Sequence, residues 1–154
     1  MEFEIREWSP EYAQDYIDLS VEWLEKYVYV EPADVEILNH PDEVVLNKGG
    51  MIFFAAHEGV NVGTVTMIPM EEGVYELAKL GVTEKYKRNH IGELLMEAGI
   101  RFAREHHAHK VILFTSSLLT PAIRLYHKFG FRDVPLIDNE YESSDMKMEL
   151  DLLP

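Results

Sequence analysis

The stretch Leu80–Met96, LGVTEKYKRNHIGELLM, decides the fold. It begins as an apolar strand, crosses a short basic loop and ends in an amphipathic helix that starts near Ile91 and Gly92. The backbone N–H groups at a helix N-terminus are free and lie at the positive end of the helix dipole, so they attract anions. The stretch therefore predicts a phosphate-binding turn. The alternative is a solvated basic loop before a surface helix. The loop cations are Lys85, Lys87 and Arg88.

Upstream of this stretch, apolar spacing predicts one strand, two helices and then three strands. The first helix opens at Ser9-Pro10, with serine as the N-cap and proline at the first helical position. The second lies between Pro32 and Leu46 and is interrupted at His40-Pro41. The predicted strands cover residues 3–6, 51–56, 62–67 and 74–82, and residues 58–61 turn a hairpin.

Downstream of the stretch, a buried strand is predicted at 111–115 and a helix from Thr120-Pro121 to Gly130. Final strands are predicted at 131–134 and 146–152. The element order is β-α-α-β-β-β-α-β-α-β-β. This order predicts one mixed α/β domain over residues 1–154, with a sheet flanked by helices.

Composition and charge exclude several classes of protein. The chain has no cysteine, which rules out disulfides, thiolate metal sites and a cysteine nucleophile. Its net charge is −14, with −13 in residues 1–75, so nucleic acid is a disfavoured partner and cations are favoured ones. The alternative is that excess acid only maintains solubility. No apolar run approaches the about 20 residues that span a bilayer, and the N-terminus is acidic where a signal peptide is basic. A cytoplasmic protein with no membrane partner is expected.

Three segments together resemble the GCN5-related N-acetyltransferase (GNAT) superfamily: Tyr75–Val82, Leu80–Met96 and Thr120–Phe131, the last reading TPAIRLYHKFGF. The resemblance implies a GNAT-like fold, with acetyl-CoA as the acyl donor. It also implies that the strands at 74–82 and 111–115 part to admit that cofactor. The acceptor is then a primary amine on a small molecule, a peptide or a protein terminus.

In the superfamily the phosphate turn reads Arg or Gln, two residues, Gly, one residue, then Gly or Ala. Here it reads KRNHIG from Lys87 to Gly92. By resemblance, the amides of Arg88–Gly92 hold the pyrophosphate of acetyl-CoA, and the main chain of Leu80–Val82 pairs with its pantetheine arm. The implied cofactor-binding residues are Leu80, Gly81, Val82, Lys87, Arg88, Asn89, His90, Ile91 and Gly92.

This sequence departs from the superfamily pattern at three positions. Lys87 keeps the charge of arginine but lacks its planar donor fork. His90 replaces the first glycine, so a positive φ at that residue is strained. Leu119 replaces an asparagine that often binds the pantetheine, and Ser116, Ser117 or Thr120 are candidates to replace that contact.

Two catalytic residues are implied by resemblance. Tyr126 matches a tyrosine near the CoA sulfur and is the candidate acid for the thiolate, the alternative being a tyrosine on the buried face of its helix. Glu76 matches the catalytic glutamate of histone acetyltransferases in the superfamily. It is the candidate base, the alternative being a strand-edge carboxylate paired with Lys79 or another basic neighbour. Without cysteine, the amine attacks the thioester directly in a ternary complex, and an N–H near Gly81-Val82 is the candidate oxyanion donor.

Several questions stay open at this point. One group of aromatic residues has two interpretations, an acceptor pocket or the core: Trp23, Tyr27, Tyr29 and Tyr141. Three histidines at 106, 107 and 109 lack further ligands at useful spacing, so no metal site is predicted. The rival functions are a catalytically inactive acyl-CoA-binding module and a homodimeric scaffold, since many relatives dimerise.

Overall fold

The computed structural model describes residues 2–137 and 141–152. Its helices are α1 (Ala13–Tyr27), α2 (Pro32–Asn39), α3 (Pro41–Val44), α4 (Ile91–Glu105) and α5 (Thr120–Lys128). Its strands are β1 (Glu4–Glu7), β2 (Met51–His57), β3 (Val60–Pro69), β4 (Val74–Val82), β5 (Lys110–Thr115), β6 (Arg132–Val134) and β7 (Met146–Asp151). The predicted order is confirmed, and the break at His40-Pro41 separates α2 from the short α3.

The seven strands form one open sheet in the order β1-β2-β3-β4-β5-β7-β6. All neighbours are antiparallel except β4 and β5, which run parallel and pair only at residues 74–76 of β4. Beyond Glu76 the two strands separate, as the resemblance implies. Within residues 2–137 and 141–152, the second half of β4 therefore pairs with β3 on one side and with no strand on the other.

Two apolar cores cover the two faces of the sheet. On one face α4 packs through Leu95 and Met96, which are fully buried. On the other face α1 and α2 pack against the central strands around Tyr16 and Phe54, also fully buried. The Tyr16 hydroxyl and Thr66 Oγ1 share a hydrogen bond of 2.7 Å, which satisfies both groups inside the second core. The cores fix α1, α2 and α4 around the gap between β4 and β5.

A β-bulge interrupts β4 beside this gap. Thr64 pairs with Gly81 and Thr66 with Ala78, so Lys79 and Leu80 together oppose one residue of β3. Lys79 has φ +53°, a left-handed conformation that is uncommon for a residue with a side chain. Its ammonium forms an ion pair with Asp34 of α2, with both side chains buried. The bulge thus places a cation on the α1–α2 face.

Two local predictions are corrected by the structure. Ser9 and Pro10 open a 3-10 turn at Pro10–Tyr12 that precedes α1, with Ser9 as its N-cap residue, but the Ser9 side chain makes no capping hydrogen bond. The hairpin turn is only Glu58-Gly59, with φ values of +49° and +81°, so both strands are longer than predicted. Such two-residue turns match the twist of paired strands. Within the described residues, no helix is long and apolar enough to cross a membrane.

Candidate active site

Two connected cavities lie where β4 and β5 separate. The inner cavity, of about 90 Å³, lies between α1, α2, the two strand ends and residues 141–144; its lining includes Ser20, Glu31, Asp34, Glu76, Lys79 and Tyr141. The outer groove, of about 300 Å³, follows the end of β4 past the N-terminus of α4 to α5; its lining includes Val82, Arg88, Gly92 and Leu125. Trp23, Leu80, Gly81 and Tyr126 line both, so they form the junction.

Most of the residues implied to bind the cofactor line the outer groove. Asn89 does not. Its side-chain amide donates to the backbone oxygens of Tyr86 and Lys87, at 3.0 and 3.3 Å, and so holds the turn in shape. The predicted residues that do line the groove are Leu80, Gly81, Val82, Lys87, Arg88, His90, Ile91 and Gly92.

The turn before α4 contains two left-handed residues. Arg88 has φ +70° and His90 has φ +60°. The strain expected at His90 is therefore present, at a cost of order 1–3 kcal/mol for such a residue. The His90 side chain is 79% exposed, and its Nδ1 lies 3.5 Å from Glu93 Oε1. With histidine at this position, α4 is thus entered through a left-handed residue.

The two cations of the turn point in different directions. Lys87 Nζ donates to the Tyr27 hydroxyl at 3.1 Å and lies 4.7 Å from the centre of that ring. Its ammonium is therefore directed toward the C-terminus of α1. Arg88 is exposed, and within residues 2–137 and 141–152 it has no ion pair. Arg88 is the cation of this turn most open to an incoming anion.

Glycine at position 81 allows α1 to approach the sheet closely. A Cβ atom there would lie 3.2 Å from the Cβ of Trp23, tighter than nine in ten real contacts. Any larger residue at position 81 would therefore require α1 to shift by a few tenths of an ångström. At Gly92 a Cβ atom would meet only Leu125 at 3.4 Å, an ordinary contact, so the protein's own packing does not require that glycine.

Tyr126 lies on α5 with its ring against Phe131, at a centroid distance of 6.1 Å. It is 8% exposed and lines both cavities, so it is a buried-face tyrosine that also reaches the junction. Burial raises its pKa to about 12, because a phenolate is poorly solvated there. The phenol therefore holds its proton at neutral pH and is available as a donor.

Glu76 lies in the middle of the sheet, where Ile68 of β3 and Ile112 of β5 flank it. It is 2% exposed and lines the inner cavity. Glu76 is therefore not at a strand edge, and Lys79 pairs with Asp34. The Glu76 side chain forms part of the wall of the inner cavity.

Glu31 closes one side of the inner cavity and is not among the candidate residues predicted from the sequence. Its carboxylate accepts hydrogen bonds from the Glu142 N–H at 2.5 Å, the Ser143 N–H at 3.2 Å and Ser143 Oγ at 2.6 Å. Its own N–H donates to Asp34 Oδ2 at 2.9 Å, which completes a capping box at the start of α2. The Glu31-Pro32-Ala33-Asp34 spacing was the available signal for this arrangement.

The aromatic candidates divide into two groups. Trp23 and Tyr141 line the inner cavity, and the Tyr141 ring centre lies 4.9 Å from Lys79 Nζ. Tyr27 and Tyr29 are 38% and 48% exposed, so the core alternative is wrong for both. Neither contributes to the lining of the inner cavity or the outer groove.

The two serine candidates form local hydrogen bonds. Ser116 Oγ accepts from the Leu118 N–H at 3.3 Å, and Ser117 Oγ donates to Asp145 at 2.6 Å. Leu119 lines the inner cavity. His106 Nδ1 lies 2.9 Å from the Phe102 backbone oxygen at the end of α4. Among the described residues, no group of three His, Asp or Glu side chains is placed to hold a metal ion.

An open mixed sheet, a helix N-terminus beside the strand gap and two joined cavities make up the candidate site. The model of the Acetyltransferase (GNAT) family matches residues 4–131, and the chain belongs to this family.

Three relatives illustrate the similarity. An acetyltransferase of the GNAT family from Staphylococcus aureus Mu50 superposes with a TM-score of 0.89 at 21% identity, covering 99% of this chain and 100% of that one. The PaiA N-acetyltransferase from Thermoplasma acidophilum, in complex with coenzyme A, has a TM-score of 0.75 at 18% identity, covering 98% and 99%. Mycothiol acetyltransferase of Corynebacterium glutamicum is 36% identical over 56 residues, which are 36% of this chain and 19% of that protein. The matched part is thus about a fifth of that relative's length.

Proposed function

We propose that residues 1–154 form a single acetyl-CoA-dependent N-acetyltransferase domain that acetylates a primary amine. The observation that carries the proposal is the junction at Leu80, Gly81 and Tyr126, where the outer groove meets the inner cavity. A donor in the groove and an amine in the cavity would meet there. This arrangement suits direct attack in a ternary complex, since the reactants are held together.

The residues of the outer groove fit coenzyme A. Among the residues that the structure describes, no strand pairs with the second half of β4 on its β5 side, so Leu80–Val82 are available to pair with a pantetheine arm. The turn at Arg88–Gly92 leads into the free N–H groups of α4, and the exposed Arg88 adds positive charge for the pyrophosphate. The structure of the PaiA relative in complex with coenzyme A supports this assignment.

Acetyl-CoA supplies an acetyl group activated as a thioester. The amine nitrogen forms a bond to the carbonyl carbon, the carbon–sulfur bond breaks, and the products are an N-acetyl amide and free thiol. Glu76, directly or through water, takes the proton that the amine loses, and Tyr126 donates a proton to the departing sulfur. A backbone N–H near Gly81-Val82 stabilises the negative charge that develops on the carbonyl oxygen.

The second candidate function is an acyl-CoA-binding module without turnover. The observation that favours it is Leu119, an apolar residue in the cavity lining where the superfamily often has an asparagine. Glu76 and Tyr126 favour the enzyme, because both line the inner cavity where chemistry would occur. The homodimeric scaffold and the cytoplasmic location remain predictions made from the sequence.

The proposal is tested by calorimetric titration with acetyl-CoA, with desulfo-CoA alongside, followed by an amine panel. We expect micromolar affinity, which corresponds to about −8 kcal/mol, and thiol release with at least one amine. Because the chain has no cysteine, a thiol reagent reports only released coenzyme A. Binding without thiol release from any amine would favour the binding module, and no binding at millimolar acetyl-CoA would overturn both functions.

Charge at the turn gives a further prediction. The double variant Lys87→Ala/Arg88→Ala should bind acetyl-CoA about tenfold more weakly, because the charge-assisted contact of Arg88 with phosphate is lost and the positive charge of Lys87 beside the turn is removed. The difference in acetyl-CoA affinity between the wild-type protein and the double variant should be smaller at high salt. Titration calorimetry at low and high ionic strength measures both effects.

The matched control is Arg101→Ala/Arg104→Ala, which removes the same charge from exposed positions in the second half of α4. Its affinity should stay close to that of the wild type. Equal affinities for the two double variants would move the phosphate site away from this turn.

A further inference from the structure

Ser20 carries an unsatisfied hydroxyl in the wall of the inner cavity. It lies on α1, is 3% exposed and lines the cavity. Within the part of the chain that the structure describes, its Oγ is the one buried side-chain oxygen or nitrogen without a hydrogen-bond partner. A buried hydroxyl without a partner costs free energy that a ligand recovers when it supplies the missing hydrogen bond.

The charge of the cavity indicates the kind of ligand. Its described lining holds three carboxylates, those of Glu31, Asp34 and Glu76, each at most 4% exposed. The cation among them is Lys79, so the formal charge of this lining is −2. Because such groups are poorly screened by water, a cation in the cavity is attracted more strongly than at the surface.

The two helices beside the cavity also carry a net negative charge. Residues 13–39, which span α1 and α2, carry seven acidic side chains and one basic side chain. A cationic acceptor is therefore attracted before it enters and is stabilised once inside. This field is independent of the Ser20 hydroxyl, and the two observations agree.

An acceptor with its own carboxylate fits less well. The natural partner for that carboxylate is the Lys79 ammonium, but Asp34 already pairs with it and the Tyr141 ring lies against it. Inside the cavity such an acceptor meets three carboxylates. The cavity encloses only about 90 Å³, which favours a short, unbranched chain over a folded peptide segment.

We infer that Ser20 is an acceptor-binding residue and that the acceptor is a short aliphatic amine with a second positive charge, a diamine or polyamine. This inference rests on the proposed function. Ser20 Oγ accepts a hydrogen bond from an N–H of the bound amine, and the net negative charge of the cavity lining stabilises the positive charge of the amine. One nitrogen loses a proton and takes the acetyl group from sulfur, while the other stays protonated.

The test compares three acceptors of equal chain length: 1,4-diaminobutane, 1-aminobutane and 4-aminobutanoate. Thiol release is followed at saturating acetyl-CoA. We expect kcat/KM for the diamine to exceed that for the monoamine at least tenfold, and the amino acid to be the poorest substrate. Comparable values for the monoamine or the amino acid would overturn the inference while leaving acetyl transfer established.

The variant Ser20→Ala tests the residue itself. Its kcat/KM for the diamine should fall about tenfold, the size of one hydrogen bond to a charged group, mainly through KM. Acetyl-CoA affinity and thermal stability should not fall, because the substitution removes a hydroxyl that has no partner in the free protein. The matched control is Ser9→Ala, whose side chain makes no capping bond and lies outside the cavity lining.

The outcomes distinguish a failure of the proposed function from a failure of the role assigned to Ser20. If no amine releases thiol, the proposed function fails and the inference fails with it. If diamines are preferred but Ser20→Ala behaves like Ser9→Ala, the assignment of Ser20 is wrong. A diamine preference that weakens in Ser20→Ala alone supports the inference.

Discussion

Replacing Tyr126 with phenylalanine should lower kcat for acetyl transfer by about 10²- to 10⁴-fold, the usual contribution of a positioned proton donor. The ring stays in place against Phe131, so packing of α5 is kept. Only the hydroxyl at the junction of the two cavities is removed. Single-turnover thiol release measures the chemical step, and acetyl-CoA affinity should stay within twofold of the wild type.

The pH dependence of the wild-type enzyme gives an independent check on Tyr126. Burial raises its pKa from 10 to about 12, so the proton-donating form persists at alkaline pH. An exposed tyrosine begins to ionise near pH 10. The rate of acetyl transfer should therefore not fall near that pH through loss of the Tyr126 proton. A kcat of Tyr126→Phe within twofold of the wild type would remove the acid role.

The Glu76→Gln variant should lose about 10²-fold or more in kcat/KM. Glutamine has nearly the same shape as glutamate but does not take the proton from the amine. A carboxylate base is inactive when protonated, so the wild-type rate should fall toward acidic pH. The variant should lack that limb. Rates measured across the pH range for one amine test both expectations.

Thermal unfolding separates chemistry from folding for this variant, because Glu76 is only 2% exposed in a central strand. A matched comparison is Glu93→Gln on α4, whose carboxylate lies in the outer groove rather than the inner cavity. An unchanged pH–rate profile in folded Glu76→Gln would eliminate the base role. A bound water or main-chain group would then take the proton.

The fold was predictable because its signals are local. Gly130, with φ +97°, ends α5 as expected, and the apolar spacing after Ile91 gives α4. The turn before α4 was also found from the sequence, because its cations and its helix start are adjacent in the chain. The resemblance then added roles for Tyr126 and Glu76, which still await measurement.

The inner cavity was less predictable because its residues come together only through tertiary packing. The bulge at Lys79 depends on the register between β3 and β4, which no single segment reveals. Ser20 is buried on α1, and a single serine within a helical pattern gives no signal of a binding role. The capping box at Glu31 was readable, but its contacts with residues 142 and 143 were not.

The contacts of Glu31 with residues 142 and 143 also have a consequence for the order of folding. They join positions 111 and 112 residues apart, so their formation requires a long loop to close. During synthesis, α1, α2 and the first four strands leave the ribosome well before this partner segment. This wall of the inner cavity is therefore completed late, after most of the sheet has had the opportunity to form.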